Sequence, residues 1–161
     1  MFERVKKPEE AFSQRLGSAL KLERTILEVL EVNVRNAESA DVKELLGARL
    51  EESRADVQAL ESAFGLLGWE VDDSPCPVAD AFEKEDKAKI RKAQPAVVDI
   101  VVLQGMLEIE HYAIGVYESL TIRAGAMDRQ DVVELLQGNV RAKRVSLEGV
   151  KALLEAAGRR S

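Results

Sequence analysis

Four acidic side chains, Glu23, Glu52, Asp56 and Glu110, fall where a helical repeat of apolar residues would place another leucine or valine. Glu23 lies inside the repeat Phe12, Leu16, Ala19, Ile26, Leu30. Val42, Leu45 and Leu46 give way to Arg49, Glu52 and Asp56 before Leu60 and Phe64 resume, and Glu110 stands between Leu103, Met106, Leu107 and Ile114, Tyr117. A fourth repeat, from Val132, Leu135 and Leu136 to Leu147, Val150 and Leu154, is broken by Asn139 and Lys143. Carboxylates on an apolar stripe mean that the stripe lies elsewhere, or they serve one of two chemistries. Either they bind hard divalent cations such as iron or manganese, which prefer oxygen donors, or they pair with buried cations, for which Arg49 and Lys143 stand ready.

The only histidine, His111, follows Glu110 directly, and "EIEH" (108–111) matches Glu-x-x-His letter for letter. Adjacent helical residues point about 100° apart, so Glu110 and His111 cannot share a face. His111 shares one with Glu108, Gln104, Gly115 and Glu118, the most polar side of its segment. Glu110 is therefore the inward residue, and His111 is expected outside.

The elements that must carry these residues can be read from the punctuation. The four prolines, Pro8, Pro75, Pro77 and Pro95, all lie where helices would begin. Between them run four long helices: Pro8 to Asn36; from the N-cap Ser39 to near Gly68; from Pro95 to about Ala124, with Gly125 just past its end; and from the N-cap Asp128 to near Gly158. Each spans about 30 residues, or roughly 45 Å. The first and last pairs are joined by very short links, which force antiparallel hairpins. The middle link is long, and its second half, from Pro77 to about Lys92, reads as a short charged helix. Two hairpins joined by one long crossover is the ferritin-like four-helix arrangement, with the short helix as a fifth, all-α and in a single domain over 1–161.

Composition agrees. Of the 161 residues 46% are hydrophobic but only 4% aromatic, so the core must be aliphatic, as in a helical bundle. The net charge of −6 is spread without a basic block, which argues against nucleic acid and against an anionic membrane surface. The run 97–109 is broken by Asp99, Gln104 and Glu108 and is too short to span a bilayer. Met1 to Phe12 holds no apolar core of signal-peptide length, and a cytoplasmic location is the expectation. Cys76 is alone, so neither an internal disulfide nor a cysteine metal cage is available. The third long helix is apolar nearly all round between Val97 and Leu107, so its second side (Val98, Val101, Val102) needs a cover. A homodimer interface is the expected cover, with the short crossover helix as the alternative.

Several stretches resemble the YciE/YciF-type family of ferritin-like bacterial proteins: "KLERTILEVL", "RLEESRADVQALESAFGLLG", "SPCPVADAF" and "IEHYAIGVYESL". The resemblance covers about residues 10–156. It implies a ferritin-like bundle, often dimeric, linked to stress responses and to metal binding. Carried over position by position, it implies metal-side carboxylates at Glu23, Glu52 and Glu110, with Asp56 where histidine or glutamine is usual. Arg49 stands where the family tends to have histidine, and Ala113 replaces the second acid of a Glu-His-Tyr-Glu pattern. In "GNVRAKR", Gly138, Ala142 and Lys143 replace carboxylates. The first hairpin keeps its half of a site and the second has nearly lost it.

A dimetal centre is offset by roughly four to six carboxylates. Losing two or three of them and gaining Arg49 and Lys143 compensates the layer without metal. The expectation is thus a metal-free or weakly metal-binding dimeric bundle with a salt-bridged polar core and no nucleophilic chemistry, in which Glu110 is buried and paired with Lys143. The alternative is an iron or manganese protein with oxidase, peroxidase or storage activity. A third reading is an adaptor whose protein partner binds the charged segment 80–92.

Overall fold

The computed structural model describes residues 5–160 as five helices: α1 (Pro8–Asn36), α2 (Ala40–Leu66), α3 (Pro77–Lys92), α4 (Pro95–Ala126) and α5 (Gln130–Arg160). The part of the N-terminal stretch before Val5 lies outside the described residues. Proline opens α1, α3 and α4, where its missing N–H leaves no bond unmade. Ser39 caps α2, its hydroxyl accepting from the Val42 N–H. No helix among the described residues is long and apolar enough to cross a membrane.

The packing is a closed ring of four helices in which α1 lies on α2, α2 on α5, α5 on α4 and α4 on α1. Each end of the bundle has a contact that fixes direction. At one end the Asp99 carboxylate, near the start of α4, accepts from the Glu38 and Ser39 N–H groups at 2.7 and 3.0 Å, just before α2. At the other, Arg129 donates to the Leu66 carbonyl at the end of α2. α2 and α4 therefore run parallel, and the crossover must climb the whole bundle. It does so by pressing the 69–76 segment onto α1, where Ser18 donates to the Pro75 carbonyl and Arg24 bridges Glu61 and Asp73. α3 then lies over the groove between α1 and α4.

Two features differ from the sequence expectations. The first is the α4–α5 turn. Gly125 stays within α4, and Asp128 takes the left-handed position (φ 56°), so it is not the N-cap of α5. The Arg129 N–H reaches the Ala124 carbonyl and the Asp128 N–H the Gly125 carbonyl, a Schellman closure matched at the end of α2 by Gly68 (φ 71°). Aspartate tolerates this conformation, which a search for glycine alone passes over. The second concerns the apolar side of α4. Val98 and Val102 are buried within one chain and Val101 partly so, in a helix that packs against α5, α1 and α3. The short crossover helix, the alternative cover in the sequence reading, thus packs against α4.

Candidate functional site

Midway along the bundle, all four long helices turn a polar side chain into the core. Glu23 comes from α1, Arg49 and Asp56 from α2, Glu110 from α4 and Lys143 from α5, and none is more than 4% exposed. On α2, Arg49, Glu52 and Asp56 follow one another at i, i+3 and i+7, which aligns them along one face. Arg49 and Asp56 point inward; Glu52 sits at the rim, its side chain 40% exposed, with one oxygen turned 3.7 Å toward Arg49 Nη1.

Two cations organise the layer. Lys143 Nζ lies 2.6 Å from Glu23 Oε1, 2.9 Å from Asp56 Oδ2 and 3.6 Å from Glu110 Oε2. Arg49 meets Glu110 Oε1 through Nε at 2.5 Å and Asp56 Oδ2 through Nη2 at 3.2 Å. Glu110 is buried and paired, as expected, but its closest partner is Arg49, with Lys143 farther off. A guanidinium presents several donors in a fixed fork and can bond Glu110 and Asp56 at once. Lys143 also stands 5.2 Å from the Tyr117 ring centroid, and Asn139 donates to the Tyr117 hydroxyl.

The electrostatics follow from burial against pairing. Burial would raise the Glu110 carboxyl, but Lys143 and Arg49 outweigh it and hold the group below its ordinary range. Glu23 ends on the other side: burial raises its carboxyl more than Lys143 lowers it, with Asp56 adding to the rise. Burial alone would lower Lys143, yet Glu23 and Glu110 hold it above its ordinary value and charged. Burial drives the Tyr117 phenol well up, so it remains a neutral hydroxyl. Three buried carboxylates and two cations leave one negative charge in the layer, and of the three carboxyls Glu23 is the one raised above its ordinary value.

These residues do not form the donor set that a dimetal centre requires. The carboxylates of α1, α2 and α4 converge on an ammonium, so a divalent ion could take the same oxygens only by displacing Lys143. Among the described residues no group of three or more His, Cys, Asp or Glu is placed to hold a metal ion. Ala113 is fully buried in α4, whereas Ala142 is exposed on α5, where Asn139, Lys143 and Ser146 are the inward residues. Ala142 thus marks no lost inward carboxylate. His111 and Glu108 are exposed.

Sequence reasoning missed two groups. In the sequence Tyr117 counts as one more apolar residue on the stripe; its spacing of two turns from Glu110 is the signal that its hydroxyl enters the same layer. Asn33 and Asp86, both buried, form a second polar spot between α1 and α3. Asn33 breaks the α1 stripe one turn after Leu30, whereas Asp86 is hidden in a charged run.

Residues 7–160 match the family described as Domain of unknown function (DUF892). The chain belongs to this family. YcfI of Rhodopseudomonas palustris is similar in structure at 24% identity and a TM-score of 0.87, with 94% of this chain and 98% of that one covered. The stress protein YciF of E. coli gives a TM-score of 0.91 at 16% identity over 98% and 100%. A ferritin-like diiron-carboxylate protein from Bacillus anthracis gives 0.72 at 14% over 93% and 99%. A comparison with curated proteins found no match. The YciE/YciF-type, ferritin-like resemblance seen in the motifs is borne out, and so is the all-α bundle with its crossover helix. At these identities the solved structures speak for the fold alone.

Proposed function

We propose that this DUF892 member is a metal-independent ferritin-like bundle in which Lys143 and Arg49 take the place of metal ions. In this reading the protein acts as a homodimeric scaffold with a stress-related role in the cytoplasm, and not as an oxidoreductase. The observation that carries it is the position of Lys143 Nζ, within 3.6 Å of carboxylates from three different helices. An ammonium there supplies the positive charge that the acids need and fills the place of an incoming ion. The likeness to YciF, a stress protein, is the support for the stress-related role. A homodimer through α4 would use the exposed Val97 and Ile122, since Val98 and Val102 are already covered.

Elemental analysis of untagged protein purified without chelator tests the metal-free state. The expected result is far less than one equivalent of iron or manganese per chain; two equivalents, lost on mutation of Glu23 or Glu110, would overturn the reading. Sedimentation velocity at micromolar concentration tests the dimer, for which a monomer is the contrary outcome.

A further inference from the structure

α3 is held to the bundle by apolar side chains, among them Ala79, Phe82 and Ile90, and by one polar contact whose bonding is incomplete. Asp86 of α3 is 4% exposed and Asn33 of α1 is fully buried. Neither amide atom of Asn33 has a well-formed hydrogen bond, and Asp86 Oδ2 has none either. From α4, Gly105 closes the spot so tightly that a Cβ there would stand 2.9 Å from Asp86 Oδ1. Beside it lies a cavity of about 10 Å³ bounded by Phe82, Glu85, Asp86, Lys89, Gly105 and Glu108, room for about one water.

Among the described residues no buried cation faces Asp86. On α3 its neighbours are Lys89 and Glu85, which pair with each other at 2.7 Å and are at least half exposed. α4 brings the exposed Glu108, and α1 brings the neutral Asn33. An ionised carboxylate can accept from the Asn33 amide, but that leaves the Asn33 carbonyl without a donor. A protonated one completes the pair: its O–H donates to Asn33 Oδ1 while the Asn33 Nδ2–H donates to its carbonyl oxygen. Burial pushes the Asp86 carboxyl up to about 6, with Asn33 and Lys89 pulling the other way.

We propose that Asp86 and Asn33 form a proton-operated latch that tightens the crossover helix on the bundle when Asp86 is protonated and loosens it when Asp86 ionises. The side of α4 against which α3 packs, with the buried Ile109 beside Phe82, is what the loosened helix would uncover. Because the docked value lies above that of a free aspartate, the added stability is complete below about pH 4 and is lost as pH rises through the docked value.

Hydrogen–deuterium exchange tests this. Corrected for intrinsic rates, α3 amides should exchange about tenfold more slowly at about pH 5 than at about pH 7.5, with central α4 and α5 amides as internal reference. Asp86→Asn is neutral at both values and can pair amide to amide with Asn33, so its α3 protection should not change with pH. Equal α3 protection at both values in the unmutated protein, or a pH dependence retained in Asp86→Asn, would overturn the latch. Should the variant not fold, carboxyl-carbon NMR of the unmutated protein decides: the Asp86 midpoint is expected at about 6, and a midpoint below about 4.5 rules the latch out.

Discussion

Lys143 has no exposure to water, yet it stays charged because three carboxylates surround its ammonium. Removing one partner from a buried ion pair typically costs about 3–5 kcal/mol, since the other charge is stranded. Lys143→Met keeps most of the volume and strands Glu23 and Asp56, so urea denaturation should show a loss of that size. Adding Glu23→Gln should recover part of it, and the non-additivity in the double-mutant cycle would measure their coupling. Glu23→Gln alone reports the spare charge. Glu23 is raised above its ordinary value, so its contribution to stability is full at low pH and falls as pH rises through its folded-state value. The stability of the variant relative to the natural protein should therefore increase from acid to neutral pH. A constant difference would show that Glu23 carries no such penalty.

At the scale of the elements, the positions of close approach decide which small residues matter. Gly17 of α1 lies under the 69–76 segment, and a Cβ there would come within 2.6–2.8 Å of Ser74 and of the Asp72 carbonyl. Two of those three atoms belong to backbone that Arg24 and Ser18 already hold, so Gly17→Ala should destabilise by about 1–3 kcal/mol. Gly47, within α2, has nothing near its Cβ direction, and Gly47→Ala should stabilise by about 0.5–1 kcal/mol. Thermal denaturation of the two variants checks both signs. Helix starts and lengths were legible because proline and an apolar repeat act locally: α1 and α3 begin and end where the sequence places them. The Gly17 contact was not legible, since it joins residues more than 50 positions apart. Nor was the Asp128 turn, where aspartate takes a conformation usually given to glycine.

For the molecule as a whole, the polar layer was legible because each of the four long helices breaks its stripe at a similar depth. What spacing could not supply was the pairing. Lys143 is on the helix next to that of Glu110 and Arg49 on the one diagonally across the ring, and only the three-dimensional arrangement makes Arg49 its closest partner and places Lys143 nearest Glu23 and Asp56. This arrangement makes the difference between a salt-bridged and a metal-binding bundle a matter of a few inward positions. Lys143→Glu combined with Ala113→Glu replaces the central ammonium with two acids, so five buried carboxylates would face Arg49 alone. Without metal, that charge crowding should lower the melting temperature sharply. Manganese bound by the folded state but not by the unfolded chain would restore about 2.7 kcal/mol at a hundredfold excess over its dissociation constant, or roughly 5–10 °C for a chain of this size. The unmutated protein should melt at the same temperature with manganese or with a chelator, because Lys143 already holds its acids. A manganese-dependent rise in the unmutated protein, lost on mutation of Glu23, would show that metal and ammonium compete for the natural layer. A rise confined to the double variant would show that the two inward substitutions are enough to turn an ion-paired core into a metal site.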